Sequence, residues 1–245
     1  MHRSTAQPRV LRSPPRCGRG RRASLACAVL RAACVVLALS AGTARGSAPV
    51  AGPSIAFFYG EAPPIDQLRH FDRVVVEADH LTPEDFRALA AAGAAAYAYV
   101  SVGELSRSRA LHRHLQPAWI LGHNAAFGSD ILDQSQPGWR ALLLARWLEP
   151  LWQRHHPAGF FLDTLDSYQA VARTPAARAA QQAGLIATIR ALRARFPGAR
   201  LLLNRGFELL PAIAGLVDGV VAESLVRGHR GGAGFAERLC ARLVA

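Results

Sequence analysis

Short apolar runs bounded by glycine, proline and charge recur along the chain, separated by longer stretches with apolar residues at helical spacing. The runs at 54–60 (SIAFFYG), 73–79 (RVVVEAD), 94–103 (AAAYAYVSVG), 129–133 (SDILD), 159–163 (GFFLD), 200–204 (RLLLN) and 219–223 (GVVAE) read as seven strands. The unbroken valines of the second suit a parallel strand covered on both faces. Between strands, 65–71 reads as a short helix with Leu68 and Phe71 inward. A helix over 82–92 opens with Thr82 as cap, Pro83 at the first position and Glu84 and Asp85 in the first turn, and stops at Gly93. The stretch 138–155 carries Trp139, Leu142, Leu143, Trp147 and Leu151 at helical spacing, which makes both tryptophans core residues. Helices also fit 175–196, ended by Pro197-Gly198, and 209–216.

Strand and helix alternate throughout, which predicts a parallel sheet with right-handed crossovers in an α/β fold of the (β/α)8 TIM-barrel type. An eighth strand is not visible. After Ser224 the chain reads as a Gly-rich loop and a short helix at 235–244. The loop 105–127 is long enough that it is expected to cover something.

Composition changes this picture at the N-terminus. The chain has 245 residues and a formal charge of +12. Residues 1–46, however, hold nine Arg and no acid, so the remainder has 20 basic and 17 acidic residues, a net of +3. With no basic stripe and no nucleic-acid motif, nucleic acid is not an expected partner. The basic leader, the apolar run at 23–39 and the small residues after it form the pattern of a secretory signal. The chain is thus divided into a leader (1–46), a linker (47–53) and one barrel domain (54–245). The uninterrupted apolar run at 32–44 is short for a membrane span. A monomer is expected, secreted or periplasmic, with no membrane span once the signal is cleaved. Cys17, Cys27 and Cys34 fall in the leader and only Cys240 lies beyond it, which leaves no disulfide framework and no cysteine metal site.

The chemistry gathers in the stretch 159–168, GFFLDTLDSY. An apolar strand that ends in Asp163, with Asp166 three residues on, places carboxylates where barrels do chemistry, at the C-terminal ends of their strands. Other predicted strand ends supply Tyr59 and Glu61, then Glu77, Asp79 and His80, then Tyr99, Ser101 and Glu104, then Asp133, then Asn204 and Arg205, and finally Glu223. Such a ring repels itself unless its members are protonated, paired with Arg or hydrogen-bonded. Rings of this kind serve glycoside hydrolysis, which needs two carboxylates about the scissile bond, or metal-dependent hydrolysis, which calls for histidines as well. His80, His112, His114 and His123 are scattered, with no H-x-H or H-x-x-x-H pair at a strand end, so no metal site is expected.

The segments at 57–59, 74–77, 97–104 (YAYVSVGE), 160–168 (FFLDTLDSY), 203–206 (LNRG) and 220–224 (VVAES) resemble, in the same order, the endo-α-1,4-polygalactosaminidases of glycoside hydrolase family 114 and its relatives. The resemblance implies a (β/α)8 barrel, secretion, no cofactor and hydrolysis of galactosamine-containing polysaccharide. It assigns Asp163 as nucleophile and Glu223 as general acid/base. It places Tyr59, Glu77, Tyr99, Ser101, Glu104, Asp166, Tyr168 and Asn204 along a sugar-binding groove. The family closes its barrel with an eighth strand, so a barrel that holds the polymer without cutting it is the competing reading.

Overall fold

The computed structural model describes residues 52–222. The leader, Glu223, and the Gly-rich loop and helix expected after Ser224 lie outside the described residues.

In chain order the elements are β1 (Ile55–Phe58), α1 (Ile65–Leu68), β2 (Arg73–Val76), α2 (Pro83–Ala91), β3 (Ala95–Ser101), β4 (Glu104–Ser106), β5 (Ile120–Asn124) and β6 (Ser129–Leu132). Then come α3 (Pro137–Leu143), α4 (Glu149–His155), β7 (Gly159–Asp163), α5 (Pro175–Arg195), β8 (Arg200–Asn204), α6 (Leu210–Ile213) and β9 (Gly219–Val221). The cap expected at Thr82 is present and reciprocal. Its hydroxyl accepts from the Asp85 N–H at 3.2 Å, and the Asp85 carboxylate accepts from the Thr82 N–H at 2.8 Å. Thr174 caps α5 without the reciprocal half, its hydroxyl accepting from the Ala177 N–H at 3.1 Å. The helix expected at 138–155 is continuous, but α3 and α4 are joined by a π-helical turn, Leu144–Leu148.

Six strands form one parallel, barrel-like sheet in the order β1-β2-β3-β7-β8-β9, with helices between them in sequence. The run at 129–133 is not among them. β3 pairs directly with β7, from Tyr97 opposite Gly159 to Ser101 opposite Asp163. β6 instead lies in a separate antiparallel sheet, order β4-β6-β5. The reason is polar. Ser129 and Asp130 are buried, and their side chains bond groups on the neighbouring antiparallel strands and their connections. A parallel strand between β3 and β7 would bury them among aliphatic residues without those partners. The long segment 105–127 therefore contributes two strands of its own to a cap beside the sheet.

Two cores follow from the strand alternation. Val74, Val76, Ala98, Val100, Phe160, Leu162, Leu201 and Leu203 face outward to the helices, where they meet Phe86, Leu89, Trp139, Leu148, Leu185 and Ile189. The alternate residues Val75, Tyr97, Phe161 and Leu202 form a smaller inner layer, with Ile55, Tyr99 and Val221 packed against it. Asp163 and Asn204 end two of these inward-facing rows, one position past the apolar layer.

Candidate active site

The inner rows open onto a cavity of about 520 Å³ lined from both sheets. Of the residues expected along a groove, Glu77, Tyr99, Ser101, Glu104, Asp163, Asp166 and Asn204 line it. A second hollow of about 420 Å³ shares Glu104, Asn124, Asp166, Ser167 and Arg205 with the first, so the two adjoin.

Asp163 is fixed at the floor. Its Oδ2 accepts from the Tyr99 hydroxyl at 2.7 Å, and its Oδ1 accepts from Asn204 Nδ2 at 2.8 Å and from the Thr164 N–H at 2.7 Å. The donors come from within β3, from the end of β8 and from the residue after β7, so the sheet register sets the geometry. The backbone turns sharply as soon as each side chain is placed. Thr164, after Asp163, has φ 62°, and Arg205, after Asn204, has φ 61°. Non-glycine residues seldom adopt this left-handed region, at a cost of order 1 kcal/mol or more, and such strain is characteristic of functional sites. Thr164 is held there by its hydroxyl, which accepts from the Gly103 N–H at 2.8 Å and lies 2.9 Å from the Ser101 hydroxyl. A Cβ on Gly103 would stand 2.0 Å from the Thr164 carbonyl oxygen, so this approach requires glycine.

Burial, together with the neighbouring Asp163 carboxylate, pushes the Tyr99 hydroxyl far above its ordinary range, and it remains a proton donor. The Tyr59 ring packs edge-on against Tyr99 with centroids 5.0 Å apart, which places Tyr59 beside the site rather than on its wall.

The other acids are satisfied in two ways. Glu104 is buried and collects neutral donors. Asn124 Nδ2 lies 3.1 Å from Oε1, the Ser167 hydroxyl 2.6 Å from Oε1, and the Ser129 hydroxyl bonds Oε2. Glu77 and Asp79 share Arg109, at 2.8 and 2.6 Å, and the Arg109 guanidinium lies 4.2 Å above the Trp147 ring. Asp166 pairs with Arg205 at 2.6 Å; burial still pushes its carboxyl above the ordinary value, against the pull of Arg205. The ring of acids thus avoids self-repulsion by pairing and hydrogen bonding, as the sequence pattern requires.

Two residues belong elsewhere. Asp133 does not reach the cleft. It accepts from Ser135, Gln136 and Gln181 and ties the start of α3 to α5. Tyr168 turns away from the groove and is buried, its hydroxyl donating to Glu208 at 2.9 Å and accepting from Gln182 at 3.0 Å. Its burial pushes that hydroxyl up to about 12. Conversely, Arg109, Asn124, Phe127, Ser129, Trp147, Thr164 and Ser167 line the cavity without having been singled out. The length of the 105–127 segment was the only signal for the first three. Trp147 has the helical spacing of a core residue and is largely buried, but its π-helical turn leaves it on the cavity wall under Arg109.

Known proteins resemble this chain in sequence and in fold. The profile of glycoside-hydrolase family GH114 matches residues 38–240. Among solved structures, the glycoside hydrolase domain of PelA from Pseudomonas aeruginosa is 39% identical, with a TM-score of 0.62 over 69% of this chain and 66% of that one, just under two thirds of its length. Aspergillus fumigatus Ega3, solved in complex with galactosamine, is 15% identical with a TM-score of 0.60 over 72% of this chain and 68% of that one; it shares the fold. A GH36 α-galactosidase from Geobacillus stearothermophilus shares it more distantly, with 11% identity and a TM-score of 0.51 over 71% of this chain and 31% of that one. No curated protein sequence matches.

Proposed function

The chain belongs to glycoside-hydrolase family GH114, and on that premise we propose that it hydrolyses α-1,4-linked galactosamine-containing polysaccharide through Asp163 and Glu223. The observation that carries this reading is the Asp163 carboxylate, held by three neutral donors on the wall of a cavity of about 520 Å³.

The chemistry follows the two-carboxylate scheme. Asp163 attacks the anomeric carbon while the glycosidic C–O bond breaks, and Glu223 gives its proton to the departing oxygen. The sugar is left as an ester on Asp163. Glu223, now a carboxylate, takes a proton from water. The water oxygen attacks the same carbon and releases Asp163. Glu223 enters this scheme from the sequence: it stands two positions after Val221, the last residue of β9.

The cleft also suits an amine-bearing sugar. The first hollow is lined by four carboxylates, Glu77, Glu104, Asp163 and Asp166, against two guanidiniums, Arg109 and Arg205. Among the described residues, Glu77 Oε1 and Asn204 Oδ1 are buried acceptors without a hydrogen-bond partner, and both residues line the same space. A ligand rich in N–H and O–H donors would satisfy both. The negative lining favours a cation. With the leader at 1–46, this describes a secreted or periplasmic enzyme that acts outside the cytoplasm. No helix among the described residues is long and apolar enough to cross a membrane.

The test is to incubate the protein with α-1,4-linked galactosamine oligomers, their N-acetylated counterparts and glucosamine oligomers, and to follow chain length by mass spectrometry. Shortening of the galactosamine series alone, abolished by Glu223→Gln, is expected. Binding of the oligomers without shortening would instead make the protein a polysaccharide-binding barrel.

A further inference from the structure

The β5–β6 hairpin ends in Asn124, Ala125, Ala126, Phe127, Gly128 and Ser129. Its base is anchored, since Asn124 and Ser129 both donate to Glu104. Its tip is held too. The Phe127 N–H donates to the Asn124 carbonyl at 3.3 Å, and the Arg107 N–H donates to the Gly128 carbonyl at 3.1 Å. Gly128, at φ 60°, makes the turn. On this fixed tip Phe127 is 77% exposed, against 44% for Tyr59, the next most exposed large apolar side chain among the described residues. Its neighbours in the turn are alanine and glycine, too small to cover the ring.

A lone exposed apolar side chain needs no explanation. Phe127 differs because it lines the same cavity as Asp163. The other two aromatic residues lining that cavity are already engaged. Tyr99 is bonded to Asp163 and packed by Tyr59, and the Trp147 ring is covered by the Arg109 guanidinium. Phe127 therefore offers an uncovered aromatic face to whatever occupies the cleft.

Pyranose rings carry a face of C–H groups that packs on aromatic rings, and an ammonium near the ring adds attraction to its π-face. We propose that Phe127 is the stacking platform of an outer sugar subsite, which takes a sugar of the polymer other than the one attacked by Asp163 and so gives the enzyme its preference for long chains. An outer subsite is indicated because Phe127 stands on the cap hairpin, whereas the hydrogen-bonding partners of Asp163 all come from the parallel sheet and the residue following β7. The inference rests on the proposed hydrolase reading and adds to it a residue that sets specificity by length.

The experiment compares the parent protein, Phe127→Ala and Phe127→Trp on galactosamine oligomers of increasing length, with thermal unfolding alongside. Because Phe127 is exposed, Phe127→Ala is expected to unfold at the parent temperature. It should lose roughly five- to twenty-fold in kcat/KM on the long oligomers, through KM, and little on the shortest one cleaved. Phe127→Trp should restore the length dependence. An equal loss at every length, or no loss at any, would overturn the platform while leaving the hydrolase intact. The same oligomers are titrated against Asp163→Asn with and without Phe127→Ala. If the parent cleaves nothing, the hydrolase reading fails, and this titration alone decides: a loss of affinity confined to long oligomers supports the platform, and unchanged affinity or no binding overturns it.

Discussion

Asp163 and Asp130 each end up with three side-chain or backbone partners, yet those partners differ in kind. Asp163 ends β7 of the parallel sheet and receives a phenol, an amide and a backbone N–H. Asp130, in β6 of the cap, receives Arg107 at 2.8 Å, His112 at 2.8 Å and His123 at 2.6 Å, and is 2% exposed. Burial pushes the Asp130 carboxyl up, but the hydrogen bonds from Arg107, His112 and His123 outweigh it and hold the group well below the usual carboxylate range. A guanidinium and two imidazoles hold Asp130 and stitch β4, β5 and β6 together, whereas a phenol, an amide and a backbone N–H hold Asp163 facing the cavity. The nature of the partners thus separates a carboxylate that holds the cap together from one that faces the cavity.

Exchanging each carboxylate for its amide tests this contrast. Asp163→Asn is expected to lower turnover at least about a thousand-fold, as loss of a nucleophile does. Its thermal unfolding should stay within a few degrees of the parent, because the site is open and the core untouched. Tyr99→Phe removes one donor and leaves Asp163 two. A fall of about ten- to a hundred-fold in kcat is expected from the loss of a hydrogen bond to a charged group.

Asp130→Asn should do the opposite of Asp163→Asn. A loss of about 3 kcal/mol of stability is expected on breaking a buried ion pair, with kcat per folded molecule nearly kept at low temperature. The pH dependence follows from the direction of the shift. A carboxyl whose folded-state pKa is lowered contributes stability that is complete above its ordinary value, near 3.9, and is lost as pH falls below it. The gap in unfolding temperature between parent and Asp130→Asn should therefore narrow as pH falls below about 4. A gap that widens as pH falls from about 4 to about 2 would contradict the assignment. The smallest effect is reserved for Tyr168→Phe. Its hydroxyl lies outside the cleft, so KM should be unchanged and stability should fall by about 1 kcal/mol.

The same contrast explains what could be read from the chain. Strands such as RVVV, GFFLD and RLLLN are unbroken apolar runs between turn residues, and α2 and α5 announce themselves with Thr-Pro starts. Their pattern is local, so the parallel framework, and with it Tyr99, Asp163 and Asn204 on neighbouring strands, was legible. The cap was not. β4 is three residues long, and β5, ILGHN, is interrupted by glycine and polar residues, so neither has a periodicity to detect. β6, four residues long, looks like another framework strand. Only its partners, Glu104 and Arg107 across an antiparallel sheet, reveal where it belongs. Arg109 illustrates the limit. It meets Glu77 and Asp79 thirty-two and thirty residues away, a pairing set by tertiary closure and not by any local signal. Tyr168 shows the converse, a residue inside a telling motif that the turn after β7 carries away from the cleft.

The central claim is that Asp163 is the carboxylate that reacts with sugar. Glu223→Gln gives the most direct test with a galactosaminyl fluoride. Departure of fluoride needs little acid assistance, whereas on the proposed scheme release of the sugar from the protein would lack its base. Intact mass and peptide mapping after quenching should find one added aminosugar residue, located on Asp163. An adduct on Glu77, Glu104 or Asp166, or turnover of the fluoride with no adduct on any residue, would contradict the account.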